Sequence, residues 1–353
     1  MNGKKKVVFL YFELAGYFLS CINRFVEMSD AEIHIVKYPV NPVAPFIFTK
    51  NPKVNYYESA EFNREQLMKL IHDINPDLLY VCGWSNKDYV AVAKSFNKKI
   101  PVVLTFDNPW RATMKQHLAT LIGGFYLKSI YTHCWVPGEP NAAYARKLGF
   151  KGNKLLQGMY SADVNLFHQY YNETKAIKQQ SFPKRFLFAG RYTPLKGVSE
   201  LWQAFMEIQN ETPNEWELWC LGKGELDPQF PKHDKIKNFG FVQPADMKYY
   251  MENTGVFLLP AYYEHWGVAV HEFAAAGFPL ICSSTTSAAT AFLKDGYNGY
   301  MVEPYSVSSI KSAMKKIISL SDPELNKMAA HSVELSEKIT PTTWSQTLLQ
   351  LLN

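Results

Sequence analysis

The stretch GVFLLPAYYEHWGVAVHEFAAAGFPLICSS, residues 255–284, decides the fold of this chain. It opens with a short apolar run, passes through a turn that carries Glu264, continues as a helix-like segment at 267–276 and closes with a second apolar run. Short runs that are almost entirely apolar are typical of strands buried on both faces of a parallel sheet. The order strand, loop, helix, strand therefore predicts a βαβ unit.

The same alternation extends in both directions from this unit. Strands are predicted in a first set at 7–12, 31–38, 77–83, 101–106 and 133–138, and in a second set at 185–190, 216–222, 237–242, 255–260, 279–284 and 299–304. Helices are predicted at 16–28, 62–74, 86–97, 111–130, 139–148, 196–209, 245–253, 267–276, 287–294, 306–319 and 342–352. The pattern predicts an α/β protein with two doubly wound, Rossmann-like domains.

The predicted domain boundaries follow from a polar segment that ends in proline, HQYYNETKAIKQQSFP at 168–183. The first domain is predicted at 1–165, a linker at 166–183 and the second domain at 184–335. A C-terminal helix within 336–353 is expected to pack back on the first domain. Ligands of such sheets bind at the carboxyl ends of the strands, so the site is expected in loops that face a cleft between the domains.

Composition and charge limit the class of protein. The 353 residues are 47% hydrophobic and 20% charged, which excludes a disordered chain. A formal net charge of +5 is too small for a dedicated nucleic-acid binder, so no nucleic acid is expected as a partner. Five scattered cysteines without a C-x-x-C motif favour a reducing cytoplasm, and no metal site or cofactor is predicted. The lysines at 4–6 precede an apolar run as in a signal peptide, but Glu13 interrupts it, and a buried strand is preferred.

Charged residues follow two of the predicted strands in the second half. One strand ends in Gly190, and Arg191 and Lys196 follow it; cations near glycine suit a phosphate. Glu264 and Glu272 flank the start of the helix at 267, where N–H groups favour an anion and carboxylates accept hydrogen bonds from sugar hydroxyls. Each loop alone also fits solvated charge beside an ordinary turn. In this order, the two loops together predict a site for a nucleotide-diphosphate sugar.

Several segments of the second half carry a family resemblance. They are FAGRYTPLKG (188–197), LGKGE (221–225), FGFV (239–242), FLLPAYYEHWGVAVHEFAAAGFPLICS (257–283) and KDGYNGYMVEP (294–304). Together they resemble the C-terminal domain of retaining glycosyltransferases of family 4, among the group 1 glycosyltransferases, which have the GT-B fold. QGMYSADVNLF, 157–167, is similar to the family segment N-G-V-D-x-x-x-F at the domain junction, with Asp163 and Phe167 matching.

The resemblance implies roles for residues at matching positions. Arg191 and Lys196 would bind the donor diphosphate, Glu264 the donor sugar and Glu272 the ribose hydroxyls. Further donor contacts are implied at Gly16, Gly190, Gly222, Phe241, Val242, His265, Trp266 and Gly267. His271 is interpreted as a packing residue. Arg191, Lys196 and Glu264 are also the implied catalytic residues, because they surround the reacting sugar and the departing diphosphate.

The first domain departs from the family pattern. The usual double glycine after the first strand is reduced to Gly16, and the usual acceptor-side histidine is replaced by Phe106 and Asp107. Asp107 is the candidate that contacts the acceptor hydroxyl, with capping of the next turn as the alternative. The chain has no D-x-D motif, so metal-independent transfer is predicted.

The resemblance implies a retaining, hexosyltransferase-like enzyme that moves a sugar from a nucleotide sugar to a glycan or lipid-linked acceptor. Such enzymes commonly build cell-envelope polysaccharide or lipopolysaccharide at the cytoplasmic face of the membrane. Two alternatives remain open: a non-catalytic subunit that binds nucleotide sugars, and another GT-B enzyme such as a nucleotide-sugar epimerase.

Contact with an anionic membrane surface is a separate expectation. Residues 1–180 contain 22 Lys and Arg against 14 Asp and Glu, whereas residues 181–353 contain 15 against 18. The segment RATMKQHLATLIGGFYLK, 111–128, combines cations with large apolar residues, as helices that lie on membranes do. A buried helix with solvated ends is the alternative.

Overall fold

The chain passes twice between two structural units. The computed structural model describes residues 4–40, 49–96 and 99–353, so the predicted helix end at Asn97 lies outside the described residues. The first unit comprises the chain up to Ser161 together with Ile339–Asn353, and the second comprises Ala162–Lys338. The crossing at 161–162 lies close to the predicted end of the first domain at 165.

The first unit is built on a sheet whose described strand pairs are all parallel. Its strands are β1 Lys6–Leu10, β2 Glu32–Lys37, β3 Val54–Glu58, β4 Leu78–Cys82, β5 Val102–Thr105, β6 His133–Val136 and β7 Leu155–Gln157. Its helices up to residue 161 are α1 Gly16–Met28, α2 Arg64–Ile74, α3 Lys87–Ser95, α4 Met114–Leu118, α5 Gly124–Ile130 and α6 Glu139–Lys147. A π-helical turn, Ala119–Gly123, joins α4 to α5.

The first sheet has the order β3-β2-β1-β4-β5-β6-β7. The inner strand β1 is apolar and buried along most of its length, as predicted. The edge strands β3 and β7 were not predicted, because β3 carries one fully buried residue and β7 none. An edge strand has a neighbour on one side only, and its half-exposed side chains need not be apolar.

The second unit carries another parallel sheet, with the order β10-β9-β8-β11-β12-β13. Its strands are β8 Arg185–Ala189, β9 Glu217–Leu221, β10 Ile236–Gly240, β11 Val256–Leu259, β12 Leu280–Ser283 and β13 Gly299–Val302. Its helices are α7 Val164–Gln180, α8 Val198–Glu211, α9 Met247–Asn253, α10 Val268–Ala275, α11 Ala289–Phe292, α12 Val307–Ile318 and α13 Asp322–Ser336. The stretch at 255–284 forms β11-α10-β12, with Phe257 paired to Leu280.

Two helices of the second unit were not predicted. Residues 166–180, expected as a linker, lie in α7, which belongs to this unit. Asp163 caps α7 by accepting a hydrogen bond from the Leu166 N–H at 3.3 Å. Helix α13 begins with a capping box between Ser321 and Glu324, a start signal that is present in the sequence.

The last helix, α14 Pro341–Leu352, belongs to the first unit. It packs on α1, and Trp344 is buried between them and the sheet. The Trp344 ring stacks at 5.2 Å on Trp135, and its Nε1–H donates to the Met159 carbonyl at 3.0 Å. The C-terminal segment therefore completes one face of the first sheet.

Across the ranges that the structure describes, no helix has the length and apolar character needed to span a bilayer.

Candidate nucleotide-sugar site

The predicted donor residues lie at the point where the second sheet reverses its strand order. Strands β8 and β11 are neighbours. From β8 the chain continues to β9 in one direction across the sheet, and from β11 it continues to β12 in the opposite direction. Loops after such a pair of strands form the usual ligand crevice of an open parallel sheet. Arg191 and Lys196 lie in the loop after β8, and Glu264 lies in the loop after β11.

Backbone contacts hold these two loops together. The Tyr262 N–H donates to the Leu195 carbonyl at 2.9 Å. Gly197 has φ +65°, and a Cβ there would lie 2.2 Å from the Pro260 carbonyl oxygen. Because any side chain at 197 would collide with backbone, glycine is required for this close approach.

An ion pair links the loops at the side-chain level. Lys196 Nζ donates to Glu264 Oε2. The two side chains are 20% and 18% exposed, so the pair is largely shielded yet reachable from solvent. The structure thus brings together a candidate diphosphate-binding cation and a candidate sugar-binding carboxylate.

The turn that carries Glu264 leads directly into α10. Gly267 has φ +91°, and a Cβ there would lie 2.9 Å from Cγ of Glu264. Glycine therefore allows the backbone at 267 to approach the Glu264 side chain closely. The first N–H groups of α10 follow, and helix geometry leaves them without intrahelical acceptors. Arg191 is exposed on the neighbouring loop. Cations and N–H groups therefore converge on one edge of the sheet, an arrangement suited to a phosphorylated ligand.

Glu272 lies in the second turn of α10 and is partly buried. Burial, with a smaller effect of the nearby Asp163 charge, raises the pKa of the Glu272 carboxyl to about 7. Burial also raises the pKa of Asp163 itself. The charge of Asp163, 109 residues earlier in the chain, therefore acts on Glu272, and the sequence did not predict that these two carboxyl groups lie near each other.

His271, next to Glu272, is fully buried. Its Nδ1 accepts a hydrogen bond from the Ala162 N–H at 3.0 Å, and its Nε2–H donates to the Ser336 carbonyl at 2.8 Å. Burial lowers the pKa of His271 to about 4, which keeps the ring neutral in the tautomer that these partners require. The residue ties α10 to the two ends of the second unit.

The remaining donor-site candidates of the second unit follow strands of the same sheet. Gly190 follows β8, Gly222 follows β9, and Phe241 and Val242 follow β10. The Gly222 N–H donates to the Gly240 carbonyl at 2.7 Å, which joins the last two loops. Of the two residues that follow Glu264, His265 is partly exposed and Trp266 is buried.

Gly16 and Asp107 belong to the first unit. Gly16 is the first residue of α1, after the loop that follows β1, and Asp107 follows β5. The Asp107 carbonyl accepts a hydrogen bond from the Asn141 amide, and its Oδ2 accepts one from the Tyr160 hydroxyl at 3.5 Å. Burial, and secondarily the Asp107 charge, raises the pKa of Tyr160, so this hydroxyl stays protonated as a donor.

Tyr160 was not predicted beside Asp107. The sequence gives no signal for this contact, because the two residues are 53 positions apart. The nearby thiol of Cys82 has its pKa raised to about 12, chiefly by burial and further by Asp107, and it is therefore unreactive. Among the residues that the structure describes, no group of three or more His, Cys, Asp and Glu side chains is placed to hold a metal ion.

Comparison with known proteins identifies the class. The chain superposes on the Anabaena protein HepE in complex with UDP with a TM-score of 0.73, over 98% of both chains and at 13% identity. The two parallel sheets and this likeness define a protein of the GT-B fold, as predicted. Residues 172–333 match the family model of the glycosyl transferases group 1. The match covers less than half of the chain, and it makes the second unit similar to the group 1 glycosyltransferases.

Curated relatives match the chain in part. An uncharacterized glycosyltransferase of Methanocaldococcus jannaschii is 28% identical over 165 residues, which is 44% of this chain and 42% of the relative. The O-antigen chain mannosyltransferase B of Escherichia coli is 26% identical over 151 residues, 40% of this chain and 38% of the relative. The matches thus span about two fifths of the length of these curated relatives.

Proposed function

We propose that this protein is a retaining, metal-independent glycosyltransferase of family 4. It transfers a sugar from a nucleotide-diphosphate sugar to a glycan or lipid-linked acceptor. One observation carries the proposal: the loops after β8 and β11 bring Lys196, Glu264 and the start of α10 together where the second sheet reverses its order.

The ion pair between Lys196 and Glu264 explains how a donor would enter. The diphosphate of the donor binds the ammonium group of Lys196, and a sugar hydroxyl donates a hydrogen bond to the carboxylate of Glu264. One bound donor molecule therefore provides a new partner for each member of the ion pair. Arg191 adds a planar, bidentate cation for the phosphate oxygens. Glu272, once ionised, accepts hydrogen bonds from the two ribose hydroxyls.

The same groups act on the reaction. As the bond between the sugar and the diphosphate breaks, negative charge grows on the departing oxygen. Lys196, Arg191 and the positive end of α10 stabilise that charge. The departing oxygen takes the proton of the acceptor hydroxyl, which attacks the same face of the sugar, so the anomeric configuration is retained.

On the acceptor side, we assign Asp107 the contact with the attacking hydroxyl. Tyr160 donates a hydrogen bond to its Oδ2 and orients the carboxylate. Asp107 lies after β5 of the first sheet, at the edge where loops bind ligands. The Escherichia coli relative is an O-antigen chain mannosyltransferase, which supports an acceptor in cell-envelope polysaccharide or lipopolysaccharide synthesis at the cytoplasmic face of the membrane.

Thermal shift and calorimetry with UDP, GDP and ADP sugars test the donor site. HepE was solved with UDP, so UDP sugars come first. Lys196→Ala and Glu264→Ala should each abolish the ligand-induced shift. Lys311→Ala is the matched control, because Lys311 is equally shielded and ion-paired to Glu207 on another face. Absence of a shift with every donor would refute the proposal.

Turnover separates the remaining possibilities. Slow hydrolysis of the bound nucleotide sugar, lost in Lys196→Ala, identifies an enzyme, whereas binding without any hydrolysis or transfer favours a non-catalytic subunit. Undiminished turnover in excess EDTA is expected, and loss of turnover contradicts metal independence. NMR of the product should show the donor's anomeric configuration, and recovery of a free epimerised nucleotide sugar would indicate an epimerase.

A further inference from the structure

The helical segment at 114–130, formed by α4, the π-helical turn and α5, leaves large apolar side chains in solvent. Met114 and Phe125 are each 84% exposed, and Leu121 is 79% exposed. Leu118 is 59% exposed and Tyr126 is 49% exposed. Apolar side chains grouped in this way mark a surface that meets an apolar partner, whereas single exposed residues do not.

The opposite side of the segment is anchored in the first unit. Leu127 and Ile130 are buried in the core beside the first sheet. Gly124 packs so closely on the backbone of Leu148 that an added Cβ would lie 3.0 Å from its carbonyl oxygen. These contacts fix one side of the segment on the first unit, and the exposed apolar residues therefore remain in solvent.

The charged side chains of this stretch of sequence have one sign. Arg111, Lys115 and Lys128 are exposed, and the sequence has neither Asp nor Glu from Asn108 to Gly138. Basic side chains beside leucine and aromatic residues are the composition of helices that lie in the interface of an anionic bilayer. A second copy of this chain would instead bring like charges together, since a two-fold contact pairs the same patch with itself.

We propose that the segment 114–130 docks on an anionic lipid surface. Its apolar side chains enter the boundary between headgroups and acyl chains, while Arg111, Lys115 and Lys128 contact lipid phosphates. At 17 residues, about 25 Å of helix, the segment lies along the surface. This inference is independent of the donor chemistry proposed above, because it rests on the other unit.

Vesicle co-sedimentation of the full chain tests the proposal. The protein should bind vesicles of equal phosphatidylcholine and phosphatidylglycerol at low ionic strength, and bind pure phosphatidylcholine much more weakly. The double variant Leu121→Ser and Phe125→Ser should reduce the partition at least about tenfold, because two large apolar side chains no longer leave water. Lys115→Glu with Lys128→Glu should also weaken binding, and salt should weaken binding of the unaltered protein.

Ile177→Ser is the matched control, since Ile177 is an apolar residue 66% exposed on the second unit. It should bind vesicles like the unaltered protein. Retained nucleotide-sugar shifts in all variants would show that the second unit is intact, and unchanged far-ultraviolet circular dichroism would show that the first unit is folded. Equal binding to neutral vesicles, no binding to either kind, or binding unaffected by the double variant would each overturn the proposal. So would a dimer of the unaltered protein that the double variant dissociates.

Discussion

Glu272→Gln should stabilise the protein at alkaline pH while weakening nucleotide binding. Burial and the Asp163 charge raise the pKa of Glu272 from its ordinary 4.5 to about 7. At pH 8 the folded protein therefore holds an ionised carboxylate in a place that favours its neutral form. The stability associated with the raised pKa is present in full below about 4.5 and is lost as the pH rises through about 7.

The magnitude follows from the two pKa values. Each pKa unit corresponds to about 1.4 kcal/mol, so the full effect at pH 8 is about 3 kcal/mol. Solvent screens the partly exposed carboxylate, and we expect Glu272→Gln to gain about 1–2 kcal/mol. For a unit of this size that gain raises Tm by about 2–8 °C at pH 8, and the gain should vanish near pH 5.

Nucleotide binding should change in the opposite sense. The glutamine loses charge-assisted hydrogen bonds to the ribose, which costs about tenfold or more in affinity. In the unaltered protein, affinity should fall as the pH drops below 7 and level off near that of the glutamine variant, because only the ionised carboxylate accepts charge-assisted bonds.

Differential scanning fluorimetry from pH 5 to 8, combined with calorimetric titration of UDP, measures both effects. Glu215→Gln, the same substitution at an exposed position before β9, is the control and should leave Tm unchanged at pH 8. Asp163→Asn keeps a capping residue for α7 and should move the midpoint of the stability change to lower pH. A Glu272→Gln variant no more stable than the unaltered protein at pH 8 would refute the reasoning.

Substitutions at three further positions, Gly197, His271 and Trp344, probe the packing within the two units. Gly197→Ala should abolish the nucleotide-induced thermal shift, because its Cβ collides with the Pro260 carbonyl; Gly296→Ala, also at positive φ but in open space, should keep that shift. His271→Leu should lower the free energy of unfolding by about 2–4 kcal/mol in urea titrations, since two buried backbone groups lose their partner. The pKa of His271 is lowered, so its stabilising effect is present above about pH 6.5 and lost towards pH 4, and this acid sensitivity should be absent from the leucine variant. Trp344→Ala should cost about 3–5 kcal/mol and Trp344→Phe about 1–2 kcal/mol, and equal losses would show that the hydrogen bond to Met159 matters more than the ring.

Most of the architecture was predictable from local pattern. Inner strands such as β1 and β11 are apolar along most or all of their length, as strands covered on both faces are, and they alternate with helices. The edge strands β3 and β7 escaped prediction because solvent covers part of each, so polar residues are tolerated there. Helix α7 was mistaken for a linker, since few of its residues are buried and its sequence is mostly polar.

The donor-site candidates were also found from sequence, because each loop follows a strand and the motif lies within one βαβ unit. Their partners were not. The charge of Asp163 acts on Glu272 across 109 residues, and Tyr160 reaches Asp107 across 53. Such contacts depend on which strands are neighbours and in which register, and periodicity within a segment carries no information about either.

The sequence by itself determined the two α/β units, the loops that carry the charged residues and the family that the second unit resembles, because these depend on neighbours in the chain. The tertiary structure decided that Lys196 pairs with Glu264 and that His271 is buried between backbone partners. It also decided that Met114, Leu121 and Phe125 face solvent. The physical reason is that burial and electrostatics depend on what the fold packs around a side chain. The local sequence of a helix does not show whether a leucine packs in the core or faces water.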